Sequence, residues 1–439
     1  MVIVQVAQLV LSLTILVFIH ELGHFLAARM FGIRVEKFYI FFDAWGKKIV
    51  SWKRGDTEYG IGWLPLGGYV KIVGMIDESM DKKQMAEEPQ PYEFRSKPNW
   101  QKFIVMIAGI VMNIILGIVI YTAYHFHFDK YYTPVSEINK DGIYAWESAR
   151  NMGFETGDRL KAVNGKEYKR YDDYISMKVI FGAEVTVERN GKKEVIDVPN
   201  DFFQTIRSGG GFIESKSLVK VDSLTSPETN AAKAGLLPGD QIVAVDGNDL
   251  FSYGEFKELL QNNKNGTADI EVLRNDAKDT FKVDVDSAGL IGFVAQIQMP
   301  KDYDSTKYTV GSSITYGSRD AFEVFYYQAV GLWKLVSGQI KATESIQSPI
   351  GITSYFPKVW DWRAFWRLTA LLSMVLAFMN LLPIPALDGG HIMFIGIESI
   401  MGRKLSDKFM ERAQIAGMVL LLSLMVFAVG NDLFKIFSN

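Results

Sequence analysis

Two histidines and a glutamate at the end of the first apolar stretch carry the clearest chemistry in the sequence. His20, Glu21 and His24 form the pattern His-Glu-x-x-His. On a helix, residues four apart lie on one face, so the two imidazoles can bind one Zn²⁺ while the carboxylate acts as a general base on water. The pattern predicts hydrolysis of peptide bonds.

The setting of this motif is as informative as the motif itself. Residues 1–27 are predominantly apolar, and at about 1.5 Å per residue they can cross a hydrocarbon core of about 30 Å. Ionisable side chains inside such a segment are costly and mark a functional site. No basic residue precedes Arg29 and no small-residue cleavage pattern precedes the motif. We therefore expect a retained transmembrane helix rather than a signal peptide.

Composition limits the remaining choices. The 439 residues are 48% hydrophobic, which indicates a mixture of membrane-embedded and water-exposed parts. The net charge of -3 gives no basic excess, so nucleic acid is excluded as a partner. The chain has no cysteine, which excludes disulfides, cysteine-ligated zinc and a cysteine nucleophile. Histidines and carboxylates must hold any metal.

A third metal ligand is required, because a catalytic zinc usually has three protein ligands and one open position. Residues 380–391 read NLLPIPALDGGH, in which two prolines and two glycines interrupt an apolar stretch. Irregular backbone at membrane depth is tolerated only where it is buried in protein or lines a watery cavity. Asp388 and His391 are both chemically suitable ligands there.

Hydropathy predicts a polytopic α-helical membrane protein with four transmembrane helices. After the first, the spans are expected at 101–125, at 364–400 around the interruption, and at 411–432. Seven lysines and arginines lie between positions 29 and 54, and four more lie between 403 and 412. The positive-inside rule then places 28–100 and the last short loop in the cytoplasm.

The long stretch on the other side of the membrane contains an internal repeat. Gly153–Gly165 aligns with Gly235–Gly247 at an offset of 82 residues. Each copy has a Gly-Asp turn, a short apolar strand and an Asn-Gly or Asp-Gly hairpin signal. The second copy resembles a PDZ domain, so we expect two PDZ domains, at 129–208 and 212–300. Residues 301–363 would follow as an interfacial segment.

PDZ domains bind extended peptides by strand addition and often capture a C-terminal carboxylate on backbone N–H groups. The candidate binding loop in the second copy comprises Leu290, Ile291, Gly292 and Phe293. The alternative is that its glycine merely shapes a turn into a strand.

HELGH in the first span together with NLLPIPALDGGH in the third resembles the site-2 protease family of intramembrane zinc metalloproteases. The resemblance implies that Asp388 completes the zinc site with His20 and His24, that Glu21 is the base, and that His391 is structural. It also implies that Asn380 holds the substrate backbone and that Pro383 and Pro385 shape the interruption. A hydrogen bond between helices is the alternative role for Asn380.

A further segment fits the same family. Residues 57–72 are apolar, strand-like and too short to span, and they resemble the membrane-reentrant β-hairpin of these proteases, which would pair with an unwound substrate. A small cytoplasmic hairpin is the alternative. The candidate substrate-binding residues in this segment are Gly60, Gly62, Leu64, Gly67, Gly68 and Tyr69.

The resemblance implies a bacterial inner-membrane enzyme with its PDZ domains in the periplasm. Its substrates would be single-span proteins in the lipid bilayer, such as a trimmed anti-sigma factor and remnant signal peptides, cleaved in a stress response. The competing hypothesis is a membrane-anchored PDZ adaptor without hydrolytic activity. Such an adaptor should have lost Glu21 or a ligand, whereas this chain retains all four residues.

Overall fold

The computed structural model separates the chain into two compact units. One comprises residues 1–130 and 308–439, and the other comprises residues 131–307. The residues described are 2–64, 67–75, 88–207, 209–346 and 348–438. The predictions made for segments that include 1, 65, 66, 76–87, 208, 347 or 439 are therefore assessed without those positions.

The first unit begins with a long helix and a small sheet. The elements are α1 (Val2–Met30), β1 (Val35–Ile40), β2 (Lys48–Arg54), β3 (Thr57–Gly62), β4 (Tyr69–Ile72) and α2 (Asn99–His127), with 3₁₀ turns at Ala44–Gly46 and Phe94–Ser96. The strand order is β2-β3-β1-β4, with β1 parallel to β3 and antiparallel to β4.

The predicted hairpin at 57–72 is wrong in its pairing. β3 and β4 both pair with β1, which lies between them, and not with each other. The antiparallel hairpin is instead formed by β2 and β3, joined at Gly55 and Asp56. Local turn signals identify sequential neighbours, whereas β1 enters the sheet from a separate part of the chain.

The second unit contains two lobes with separate hydrophobic cores. The first lobe comprises β5 (Tyr131–Tyr132), α3 (Val135–Asp141), β6 (Ile143–Ala145), α4 (Glu147–Arg150), β7 (Arg159–Val163), α5 (Met177–Ile180), β8 (Ala183–Arg189), β9 (Lys192–Val198), α6 (Phe202–Arg207) and β10 (Ile213–Ser215), with a 3₁₀ turn at Tyr171–Tyr174. The second lobe comprises β11 (Leu218–Leu224), α7 (Asn230–Ala234), β12 (Gln241–Val245), β13 (Asn248–Asp249), α8 (Tyr253–Asn262), β14 (Thr267–Arg274), β15 (Ala277–Asp284) and β16 (Phe293–Gln298).

Two strands lie outside the predicted domain limits. β10 pairs with β6 of the first lobe, although it falls in the range predicted for the second domain. β17 (Thr306–Lys307) pairs with β5, so the chain returns to the first lobe before it leaves this unit. Both pairings join distant segments, which a repeat in the sequence does not reveal.

The internal repeat is reproduced in atomic detail. Asp158 and Asp240 each bind an arginine from a later strand at 2.7 Å, Arg189 and Arg274 respectively. Each aspartate also accepts the backbone N–H three residues before it, at 2.9 and 2.8 Å. The two lobes therefore share one turn architecture, built around a buried carboxylate.

The chain then returns to the first unit. The elements are α9 (Val310–Val336), α10 (Ala342–Ser345), α11 (Pro349–Thr353), α12 (Trp362–Leu381), α13 (Asp388–Met401) and α14 (Asp407–Ser438). The prediction for 301–363 contained no helix, yet α9 has 27 residues. Polar and charged residues interrupt its apolar residues, so its sequence contains no continuous apolar run of membrane-spanning length.

Four described helices are long and apolar enough to cross a membrane, as predicted: α1, α2, α12 and residues 408–434 of α14. The third predicted span, 364–400, is two helices, because α12 ends at Leu381 and α13 begins at Asp388. Pro383 and Pro385 lack the N–H groups that a continuous helix needs. The helical hydrogen bonds therefore stop in the segment between α12 and α13.

α2 is the central helix of this unit and packs against α1, α9, α12 and α13. Its approach to α1 is very close, since a Cβ on Gly23 would stand 2.5 Å from the carbonyl oxygen of Ala108. Buried hydroxyls join the helices as well: Ser373 of α12 donates to the Asn113 carbonyl at 2.7 Å. This packing fixes where along the neighbouring helices the His-Glu-x-x-His motif of α1 lies.

Candidate metal centre

Three potential ligands from two helices meet beside the break between α12 and α13. Nε2 of His20 lies 3.1 Å from Oδ2 of Asp388, and Nε2 of His24 lies 3.3 Å from the same oxygen. The two Nε2 atoms are 3.3 Å apart. The structure thus brings together the three ligands that the resemblance implies.

These separations fit a tetrahedral zinc. Ligand atoms about 2.0–2.1 Å from a tetrahedral Zn²⁺ lie roughly 3.3–3.4 Å from one another. Oδ2 of Asp388 is also buried and, among the described residues, has no hydrogen-bond partner. Two imidazole nitrogens and this unpaired buried carboxylate oxygen form a donor set that would suit Zn²⁺.

Contacts behind the ligands orient both imidazoles. Nδ1 of His24 lies 2.8 Å from the carbonyl oxygen of Val105, so Nδ1 carries the hydrogen and Nε2 is free to bind metal. Nδ1 of His20 lies 3.2 Å from the side-chain nitrogen of Asn113, whose Oδ1 is buried and has no hydrogen-bond partner among the described residues. Rotating this amide by half a turn places Oδ1 against Nδ1–H, so that the ring N–H donates to an acceptor.

The cluster opens into a cavity of about 560 Å³. Glu21 lines it, as do three of the predicted substrate-binding residues, Leu64, Gly68 and Tyr69. Gly60 and Gly62 do not line it: a Cβ on Gly60 would meet the Tyr39 ring, and a Cβ on Gly62 would meet the Phe42 carbonyl. Gly67 lies against the Phe42 ring.

The break supplies the other predicted residues. Nδ2 of Asn380 lies 3.2 Å from Nε2 of His20, at the edge of the cluster. Pro383 and Pro385 belong to the turn between the helices and do not line the cavity. His391 lines it one helical turn after Asp388, but does not belong to the group of three close ligand atoms.

Sequence reasoning missed two members of a polar network that lines the same cavity, Lys37 and Asp43. Asp43 accepts hydrogen bonds from Lys37 and from the Tyr69 hydroxyl, each at 2.8 Å. Burial acts to raise the pKa of Asp43, but these two bonds bring it below its ordinary value. Burial and the bond to Asp43 raise the pKa of Tyr69, so this hydroxyl remains a neutral donor. No motif marks Lys37 or Asp43, because the network joins three segments that are separate along the chain.

The predicted peptide-binding loop lies in the second unit, where it leads into β16. Leu290 is exposed, Ile291 is buried in the core of the second lobe, and Gly292 has φ +91°. The Phe293 ring contacts the Phe256 ring of α8, with centroids 5.8 Å apart. β16 is one of the two edge strands of its sheet.

Comparison with known proteins agrees with this geometry. The model of peptidase family M50 matches residues 8–424. The chain is 30% identical to the regulator of sigma-E protease RseP of Salmonella typhimurium and to that of Escherichia coli K12, over 98% of both chains in each case. It is 28% identical to protease RseP of Yersinia pestis, again over 98% of both chains.

These matches support the peptidase hypothesis and not the adaptor. They cover the membrane-length helices and the second unit alike, and the residues of the metal cluster all lie inside the matched range. The chain belongs to peptidase family M50 and is an intramembrane zinc metalloprotease.

Proposed function

We propose that this protease cleaves single-span membrane proteins, and that a trimmed anti-sigma factor and remnant signal peptides are its substrates. The observation that carries the proposal is the cluster of His20, His24 and Asp388 between α1 and α13. Its cavity of about 560 Å³ is large enough for a short unwound peptide segment. The relatives are named for regulation of sigma-E, which suggests the anti-sigma factor.

We propose that His20, His24 and Asp388 hold the zinc. When bound, Zn²⁺ lowers the pKa of water and polarises a carbonyl. Glu21 then takes a proton from the attacking water and delivers it to the leaving amine nitrogen. Asn380 offers its amide N–H groups beside the cluster, where a donor stabilises negative charge that develops on the scissile oxygen.

The sheet provides a place for an extended substrate. Among the described strands, β4 pairs with β1 alone and forms an edge of the sheet. Gly68, Tyr69 and Val70 of this edge line the cavity that contains Glu21. A peptide bond inside a helix is shielded, so a substrate must unwind before cleavage, and strand addition at β4 would hold it in that form.

The β2–β3 hairpin suits insertion into the membrane. Ile49 and Trp52 of β2 are 69% and 56% exposed, and Trp45 in the preceding 3₁₀ turn is 83% exposed. Large apolar side chains exposed together in one part of a protein mark contact with lipid or protein. We assign this hairpin the role of the membrane-reentrant element.

The second unit is proposed to be a periplasmic pair of PDZ domains of an inner-membrane protein. The basic residues of 28–100 and of the last short loop, both assigned to the cytoplasm, favour this orientation. The free edge of β16, next to α8 and the loop at 290–293, suits the new C-terminus that a first protease leaves on its substrate.

The deciding experiment compares wild type with Glu21→Gln on a tagged, trimmed single-span anti-sigma substrate in detergent. The variant should retain stoichiometric zinc and lose cleavage by about 10²-fold or more. Glu228→Gln is the matched control, since its side chain is 85% exposed in the second unit. Equal cleavage by Glu21→Gln and wild type would refute the proposed base.

A further inference from the structure

A glutamine of the last helix forms part of the metal-site architecture. Gln414 of α14 is only 4% exposed and lines the cavity with the zinc cluster. Its Oε1 accepts the backbone N–H of Ala386 at 3.2 Å. A polar side chain in a membrane-length helix is retained for a specific contact, because it is costly there. This contact is with the turn that precedes Asp388.

The backbone of this turn needs a hydrogen-bond partner from outside the turn. Pro383 and Pro385 have no N–H, while the N–H groups of Ile384 and Leu387 bond to carbonyls within the turn. The N–H of Ala386 is bonded instead by a side chain from another helix. Ala386 also has φ +85°, a left-handed conformation that disfavours any residue with a Cβ. Surrounding structure must therefore impose this conformation.

A second residue on the same face of α14 also restricts the turn before Asp388. Gly417, three positions after Gln414, approaches Pro385 so closely that a Cβ would overlap the Pro385 carbonyl oxygen. The backbone of α14 and the amide of Gln414 thus both bear on the two residues before Leu387. Asp388 follows immediately as the first residue of α13.

We propose that Gln414 is a positioning residue for the metal site: it holds Ala386 in the left-handed conformation that aims the Asp388 carboxylate at His20 and His24. The inference rests on the proposed zinc site. It extends that site to a helix that supplies no ligand. Residues that orient metal ligands without binding the metal themselves typically contribute 10- to 100-fold to metal affinity.

The test measures zinc affinity and the visible d–d spectrum of the Co²⁺-substituted full-length protein in detergent. Gln414→Met should weaken zinc binding about 10- to 100-fold and distort the Co²⁺ spectrum. Ala386→Gly in the Gln414→Met background should recover about fivefold or more, because glycine adopts φ +85° without the constraint. A purely structural loss in α14 would not respond to glycine at position 386.

Gln5→Met is the matched control. Gln5 is a buried glutamine of α1 whose amide bonds to the Phe356 carbonyl at 2.7 Å, fifteen residues before His20. It should alter thermal stability without changing zinc affinity or the Co²⁺ spectrum. If Gln414→Met cannot be purified, recovery of a folded, zinc-binding double variant supports the inference, and failure of the double variant overturns it.

Asp388→Asn separates this inference from the proposed function. If Asp388→Asn retains wild-type zinc affinity, the ligand assignment itself fails. If Asp388→Asn loses zinc but Gln414→Met binds it as wild type does, only the positioning role fails. An unrescued loss in the double variant also contradicts that role.

Discussion

Gly109 of α2 lies directly against the imidazole of His24. A Cβ on Gly109 would overlap Nε2 of His24 and stand 2.8 Å from Cε1 of His20. The absence of a side chain at this position therefore leaves the space in which both ligand nitrogens meet Asp388. α2 contributes no residue to the described cluster of His20, His24 and Asp388, but its backbone forms one wall of this candidate metal site.

Gly109→Ala should consequently reduce zinc affinity by at least about tenfold, because the methyl group displaces one or both imidazoles. Zinc content after dialysis and the cleavage rate should fall together. Gly396→Ala in α13 is the control, since no atom of the described residues outside its own stretch of helix lies within 4 Å of its Cβ position. Wild-type zinc binding by Gly109→Ala would show that the imidazoles are not confined as described.

Asn113 should be required to orient His20. Asn113→Leu removes the amide that faces Nδ1 and should weaken zinc binding about 10- to 100-fold. Asn113→Asp retains an acceptor oxygen and should bind zinc more tightly than the leucine variant. Isothermal titration with Zn²⁺ after chelator treatment measures both. Equal affinities for the two variants would contradict a hydrogen bond from Nδ1–H.

The β2–β3 hairpin should contact lipid. Because the chain has no cysteine, Ile49→Cys creates a unique site for a nitroxide label. In lipid vesicles this label should be more accessible to oxygen than to a water-soluble nickel chelate. Lys278→Cys in the second lobe, with a side chain 66% exposed, should show the opposite preference. A water-exposed label at position 49 would refute membrane insertion.

Breaking the repeated arginine–aspartate pair should destabilise the first lobe. The Asp158 side chain is fully buried, so Arg189→Met leaves an uncompensated charge and should cost about 3 kcal/mol or more. Hydrogen exchange of β7, followed by mass spectrometry, reports the change in opening free energy. Arg159→Met is the control, with a side chain 51% exposed and an expected effect within about 0.5 kcal/mol.

The second lobe should lose stability in acid through Asp240. Burial acts to raise the pKa of this carboxyl, but bonds from Arg274 and the Leu237 N–H hold it below its ordinary value. A lowered pKa in the folded state stabilises above the ordinary Asp pKa of about 3.9, and that stability is lost as the pH falls below it. The opening free energy of β12, obtained from hydrogen exchange after correction for the intrinsic pH dependence of the exchange rate, should fall below about pH 4, and less so in Arg274→Met. An unchanged acid response in that variant would contradict this assignment.

Much of the chemistry was predictable because it is local. The spacing of His20 and His24 is a property of one helix. The prolines on either side of Ile384 interrupt a helix in any tertiary context. The four apolar lengths likewise need no partner to be recognised. The turns at Asp158 and Asp240 repeat because each is built from a few consecutive residues and one arginine.

The pairing of distant segments was decided only in three dimensions. β1 separates β3 from β4, β10 joins the first lobe, and α9 forms a long helix in a segment for which no element was predicted. Gly109, Asn113 and Gln414 lie in apolar helices where no motif distinguishes them from packing residues. The sequence by itself determined which groups could bind zinc and activate water. The tertiary structure decided which backbone and amide groups hold them, because close packing between helices depends on atoms that are remote along the chain.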